Sequence, residues 1–364
     1  MAVEVTLPER LRARGPIDVA TLFELAQTDA RTGYYQRDPA AVFGATGDFV
    51  TAPEVSQVFG ELVGLTLADA WQRAGAPAAS LAELGPGRGT LMADLWRAVH
   101  RLPGVAAAWD VHLVERSASL QALQAERLAE LRPSWHATTV TLPSDRPLLL
   151  VANEFLDALP VHQLVRAAEG WAERCVGWGE AGACWTTRPA PAALAAEAAH
   201  RFPAAGPGAI AELAPARQTL VRDLATRIAA AGGLALLVDY GGLATHPVDT
   251  LQAVKQHQSV AVLQYLGDAD LSSAVDFGPL ADAAKAAGAA VFGPLPQARV
   301  LRALGIELRA LRLAERVRGP ARQAVFSGVR RLLDATAMGE AFKVLAVTHP
   351  AWGVPAGFAA EDRW

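Results

Sequence analysis

Leu81-Ala82-Glu83-Leu84-Gly85-Pro86-Gly87-Arg88-Gly89-Thr90 decides how this chain is read: an apolar run carrying one carboxylate breaks into a G-x-G-x-G turn and then enters a helical pattern. Glycines at 85, 87 and 89 can take positive φ and let the backbone come close to a ligand, and the N-terminus of the next helix offers unpaired N–H groups. A strand, a glycine turn and a helix in that order form a seat for a nucleotide-like ligand. The turn alone does not name the ligand. A dinucleotide-binding turn reads G-x-G-x-x-G, whereas here the third glycine comes one residue early and Thr90 stands where the last would be. A Gly/Pro cluster between strand and helix is also ordinary turn chemistry.

From residue 81 onward, apolar runs alternate with helical patterns, which predicts an α/β fold on a largely parallel sheet. The expected strands are 81–84, 111–114, 138–142, 148–152 and 234–238, with later candidates at 289–292 and 344–347. Between 161 and 187, Trp171, Trp178 and Trp185 alternate with valines among Gly-containing turns, the pattern of inserted antiparallel hairpins, and a helical stretch follows at 190–200. Residues 1–80 read as a separate helical and lid-like region, with helices over 17–28 and 55–74; residues 81–364 read as the main domain, with insertions at about 160–213 and 242–276.

The chain has 364 residues, 52% hydrophobic and 19% charged, with a net charge of −4. That length buries a real core, and no apolar run approaches the roughly 18 residues of a membrane span, so membrane insertion is not expected. Residues 1–14 lack an apolar signal core, and Glu4 and Glu9 argue against a transit peptide, so a cytoplasmic, bacterial location is expected. The acidic balance makes a nucleic-acid partner unlikely. Cys175 and Cys184 stand without a His or Cys cluster, so neither a disulfide nor a metal site is expected, and both read as half-buried thiols. Arginines from Arg299 to Arg331 recur at helical intervals, as on a solvated helix face or a docking surface.

Glu83 discriminates among ligands. A carboxylate inside a strand buried on both faces must be paired or lie beside a ligand. A phosphate would be repelled there, whereas S-adenosyl-L-methionine (SAM) brings a sulfonium and an ammonium with its adenosine. Glu115, at the tip of the second strand, suits a ribose diol; it also fits an acid stabilised by a helix N-terminus. The fourth strand leads into Asn153-Glu154-Phe155-Leu156-Asp157-Ala158-Leu159-Pro160, where Asn153 can fix a nucleophilic nitrogen, Phe155 can cover a cationic ligand, and Glu154 with Asp157 can grip a guanidinium. A capped turn with solvated acids is the other reading of that segment. Thr51, in a loop around Gly47–Ser56 with lid-like composition, can cap a helix or reach a ligand.

Gly33-Tyr34-Tyr35, the 47–60 segment, Glu83 to Gly89, Asn153-Glu154-Phe155 with Asp157-Ala158-Leu159-Pro160, Asp239-Tyr240-Gly241, Asp249-Thr250-Leu251-Gln252-Ala253, Val275-Asp276-Phe277 and Met338-Gly339 with Phe342-Lys343-Val344-Leu345 together resemble the MidA family of SAM-dependent methyltransferases. The resemblance covers nearly the whole chain. It implies a class I methyltransferase fold, Rossmann-like on a mostly parallel seven-stranded sheet, with an N-terminal helical extension and an inserted antiparallel β segment. It also implies SAM as cofactor and methylation of an arginine in a NuoD-type peripheral-arm subunit of complex I, in support of assembly. By matching motif, Glu83, Gly85, Gly87, Gly89, Glu115, Thr51 and Phe155 bind the cofactor, and Asn153, Glu154 and Asp157 face the acceptor, without a metal. The chain departs from the family pattern at Gly242, at 256–267 and at 293–298. A small-molecule or RNA methyltransferase, or a non-catalytic SAM-binding assembly factor, fits the same cofactor residues.

Overall fold

The structure, a computed structural model, describes residues 7–29, 33–36 and 51–364. The chain divides into two compact units: a larger one of Val50–Leu156, Leu220–Gly242 and Val275–Trp364, and a smaller one of Met1–Phe49, Asp157–Thr219 and Leu243–Ala274.

The larger unit is built on strands β1 (Ala79–Leu84), β2 (Trp109–Val114), β3 (Ser134–His136), β4 (Leu148–Asn153), β5 (Gly233–Gly242), β6 (Ala290–Pro296) and β7 (Phe342–Thr348). They lie in the order β6-β7-β5-β4-β1-β2-β3, and an eighth, two-residue strand, Val275–Asp276, pairs with the end of β5. Strands β1 to β5 run parallel, while β7 is antiparallel to both β5 and β6. The chain moves outward from β1 through β2 to β3 and then returns to β4 on the other side of β1. Such a reversal leaves a crevice at the carboxyl ends of β1 and β4.

The sequence explains these strands. Leu148-Leu149-Leu150-Val151-Ala152 is essentially inaccessible to solvent along its whole length, as in a parallel strand covered on both faces. Helix α1 (Gln57–Arg73) adds Val58, Phe59, Leu62, Leu67 and Trp71 to the same core, and α2 (Thr90–Val99) adds Leu91, Met92, Leu95 and Val99. Each such side chain contributes about 1.5–3 kcal/mol on burial.

Four sequence expectations change. The third strand is Ser134–His136, not 138–142, because Thr139–Thr141 forms a 3-10 turn in which Val140 is 86% exposed and has no core to bury in. Among the described residues the sheet has eight strands, since the two-residue strand Val275–Asp276 adds one to the seven. The compact units do not divide at residue 80: α1 packs into the core of the larger unit, whereas Ile17 and Asp18, expected to be helical, form a short strand in the smaller one.

In the smaller unit, Ile17–Asp18, Gly170–Gly179, His162–Ala167 and Ile210–Leu213 pair in that order, with Gly182–Pro189 on the other edge of Gly170–Gly179, all antiparallel. A separate three-stranded sheet joins Gln258–Val260, Gln252–Lys255 and Asp270–Ser272. The Asp249-Thr250 motif is structural: Thr250 donates from Oγ1 to Glu212 at 2.5 Å, and Asp249 pairs with Arg174 at 2.8 Å. Cys175 is buried and Cys184 exposed, and both are free thiols. Among the described residues no helix is long and apolar enough to cross a membrane.

Gly241 shows how tightly the end of β5 is drawn. Its φ is +143°, and a Cβ there would lie 2.1 Å from the Val275 carbonyl oxygen. Gly241→Ala is expected to destabilise the protein by about 3 kcal/mol or more, read as a lowered thermal midpoint; an unchanged midpoint would contradict the pairing.

Candidate active site

Glu83 is the penultimate residue of β1, and its side chain is 3% exposed. The Met92 amide in the first turn of α2 donates to the carboxylate, but Oε2 has no partner among the described residues. Desolvation, aided by repulsion from Glu115, pushes its pKa up to about 8. Immediately after it, Gly85, Gly87 and Gly89 adopt φ of +59°, +51° and +74°, the left-handed region that side chains avoid. Gly89 begins α2 with no side-chain cap, so the helix entrance depends on backbone groups. A buried acceptor aimed at no protein donor, beside a glycine turn and a second acid, fits a cationic nucleoside and disfavours a phosphate.

Glu115 follows β2. Its Oε1 accepts from the amides of Arg116 and Ser117, both at 2.8 Å, and its Oε2 accepts from the Gln124 side chain at 3.3 Å. Burial raises its pKa, against those donors. The helix-stabilised reading and the ribose reading are therefore compatible: Oε1 serves the backbone, and Oε2 keeps unused acceptor capacity. Gln124, on α3 (Ala118–Arg127), also donates to the Gly87 carbonyl at 2.7 Å. Nothing in the sequence singled it out, because a glutamine within a helical pattern carries no local signal.

At the end of β4 the chain turns sharply. Glu154 has a φ of +52°, uncommon for a residue with a side chain and typical of strained functional turns. Its Oε1 accepts from the Ala52 amide and from Asn153 Nδ2, each at 3.0 Å. With Nδ2 so engaged, Asn153 Oδ1 is left as a buried acceptor without a partner among the described residues. The Phe155 ring lies against the glycine turn; a Cβ on Gly85 would sit 2.7 Å from its Cδ2. Asp239, fully buried near the end of β5, holds this turn, with Oδ2 accepting from the amides of Phe155 at 3.1 Å and Leu156 at 2.8 Å. The Asp239-Tyr240-Gly241 motif was visible in the sequence, but not the role of its carboxylate.

Glu83, the three glycines, Glu115, Asn153, Glu154, Phe155 and Thr51 thus all belong to the larger unit. Thr51 precedes the short helix Ala52–Val55 without a side-chain capping bond, and the helix's first amide is capped by Glu154 instead. Glu154 and Asp157 do not share a helical turn: the chain between them is bent, and Asp157 begins a segment of the smaller unit. There, burial pushes Asp157 up to about 6 against the lowering effect of Arg217, which is buried and donates to the carbonyls of Asp157 and Leu159, each at 3.0 Å. Tyr34 is buried, and the neighbouring Tyr35 is held well above the usual phenol range by burial and by the Asp270 and Asp157 carboxylates. Residues 37–50, most of the expected lid, lie outside the described residues. Asp18, His162 and Glu173 place potential metal-ligand atoms within 4.8 Å of one another, but the Arg188 guanidinium already bonds both carboxylates at 2.7 Å, which makes the group an ion network.

Residues 62–295 match the model of a family of S-adenosyl-L-methionine-dependent methyltransferases. The mouse protein named protein arginine methyltransferase NDUFAF7, mitochondrial, is 35% identical over an alignment covering 93% of this chain and 82% of that protein. Its human counterpart is 33% identical with similar coverage. A superfamily member from Burkholderia thailandensis, crystallised with S-adenosyl-homocysteine, superposes with a TM-score of 0.83 at 28% identity, covering 97% of this chain and 94% of that one.

Glu83 makes a pH-dependent contribution whose sign is fixed. Its folded pKa, about 8, exceeds the ordinary 4.5, so its stabilising effect is whole below the ordinary value and is lost as pH rises through about 8. Glu83→Gln is expected to flatten the fall in stability of the ligand-free protein across that window, by an amount on the order of a few kcal/mol. Denaturant unfolding at several pH values checks this, and parallel curves for the two proteins would contradict it.

Proposed function

The chain belongs to the MidA family of S-adenosyl-L-methionine-dependent methyltransferases, and from that premise we propose that it is a protein-arginine N-methyltransferase acting on a NuoD-type peripheral-arm subunit of complex I, in support of that complex's assembly. The class I methyltransferase fold, the enzyme class and the cofactor are those of the family. The arginine acceptor is supported by the names of the mouse and human relatives. The observation that carries the reading is the Asn153–Glu154 pair, fixed at the carboxyl end of β4 by the same turn that sets Phe155 against Gly85.

SAM, when bound, supplies an electrophilic methyl group on a sulfonium. Glu83 offers a carboxylate oxygen to the cationic part of the cofactor, and Glu115 offers Oε2 to its ribose hydroxyls. Phe155 lies against the glycine turn, a place from which its ring can cover a cationic ligand. A guanidinium stays protonated near neutrality, so the enzyme has to orient it and draw its charge toward one side, leaving another nitrogen better able to attack in line. Glu154 brings negative charge to that edge, and Asn153 Oδ1 is a buried acceptor for an N–H, without a partner among the described residues. Asp157, the second carboxylate of the segment, belongs to the smaller unit and is given no part in this step.

Glu154→Gln keeps an oxygen to accept from Ala52 and Asn153, so the turn should survive while the charge is lost. Methyl transfer is expected to fall by about 100-fold or more, with S-adenosyl-homocysteine binding little changed by calorimetry. The acceptor is identified by incubating the protein and labelled SAM with extract lacking it, then locating the label by mass spectrometry. Label on an arginine of the complex I subunit is the expected result; label on RNA or on a small molecule, or none, overturns the assignment.

A further inference from the structure

Gln124 occupies a junction that the reaction chemistry does not itself require. The residue is fully buried on α3, and its two amide atoms reach three separate elements. Nε2 donates to the Gly87 carbonyl at 2.7 Å and to Glu115 Oε2 at 3.3 Å, while Oε1 accepts from the Trp135 indole N–H at 2.9 Å. Its Cγ also lies 3.6 Å from where a Cβ on Gly89 would be. One side chain therefore bonds both the glycine turn and the Glu115 carboxylate.

The orientation of this amide is determined by its surroundings. If it were flipped, Oε1 would face two acceptors, the Gly87 carbonyl and the carboxylate, and Nε2 would face the indole N–H, so all three contacts would become repulsive. The indole thus sets the amide, and the amide sets the spacing between the Gly87 carbonyl and Glu115 Oε2. Glu115 Oε1 is meanwhile held by the backbone amides of Arg116 and Ser117. With one oxygen on the backbone and the other on Gln124, the carboxylate plane cannot rotate, and its remaining acceptor directions stay fixed.

We propose that Gln124 is a positioning residue that locks Glu115 to the glycine turn and so sets how strongly the site recognises the ribose hydroxyls of an adenosyl ligand. The role rests on the methyltransferase reading above. It acts through Glu115 and the turn, so its signature is a change in discrimination between ligands, which a purely structural role would not produce.

Calorimetry with S-adenosyl-homocysteine and with its analogue lacking both ribose hydroxyls, on the full-length parent and on Gln124→Met, tests it. Methionine keeps the bulk of the side chain and removes the hydrogen bonds. S-adenosyl-homocysteine is expected to bind the variant about tenfold more weakly, whereas the analogue loses much less, so that the preference for the hydroxyls collapses. An equal loss for both ligands, or no loss for either, overturns the role of Gln124. Should Gln124→Met fail to fold, Trp135→Phe takes its place, since it frees the amide to rotate and leaves the core filled; a smaller shift in the same direction is expected, and unchanged discrimination overturns the role. A parent protein that binds no S-adenosyl-homocysteine overturns the methyltransferase reading itself.

Discussion

A carboxylate buried at the end of a central parallel strand constrains what surrounds it. Glu83 sits where β1 gives way to the glycine turn, with one oxygen lacking a partner among the described residues and its pKa pushed up to about 8. Leaving an ionised group in that environment costs several kcal/mol, so the ligand-free protein keeps it protonated near neutrality, and a bound cation favours its ionised form. Sheet order supplies the place: the reversal between β1 and β4 leaves the strand ends without a covering neighbour. The three positive-φ glycines then keep side chains out of the crevice, and Glu115 adds a second acid to the same field. A cation that enters is met by acids that can ionise against it, whereas a phosphate gains nothing from them.

The second dependency lies at the end of β5. Asp239 is fully buried yet well bonded, accepting from the amides of Phe155, Leu156 and Tyr240. It thereby stabilises a turn in which Glu154 takes a left-handed conformation, a strain of about 1–3 kcal/mol offset by those bonds and by the Ala52 and Asn153 contacts. The two acids are alike in burial and opposite in use. Asp239 spends its acceptor capacity on backbone and is structural, whereas Glu83 keeps an oxygen in reserve and is available for binding.

Within the smaller unit, buried charge again organises loops. Arg217 gathers the carbonyls of Asp157, Leu159 and Ala274, together with the Ser273 hydroxyl, and so fixes a segment that has no regular hydrogen-bond ladder of its own. Glu173, also fully buried, is neutralised by Arg188 and bonded to His162. Removing one member of such a network leaves a desolvated charge behind, so these residues belong to the fold even though they have the chemistry of a site.

Local patterns carried most of the architecture. Leu148 to Ala152 read as a strand covered on both faces, Gly85, Gly87 and Gly89 as a turn able to admit a ligand, and Glu83 among apolar neighbours already demanded a partner. These readings hold because strand periodicity, glycine conformations and the desolvation of a charge are properties of a residue and its neighbours in sequence. The tertiary structure decided what depends on distant groups meeting. It placed the third strand at 134–136, because only those residues pair at the sheet edge, and it joined α1 to the larger unit through its buried face. It also gave one Glu154 oxygen to the Ala52 amide, and it made Gln124 the link between the glycine turn and Glu115. The sequence could specify which groups must be satisfied; only the folded chain could choose their partners, because hydrogen bonds across long separations leave no trace in local spacing.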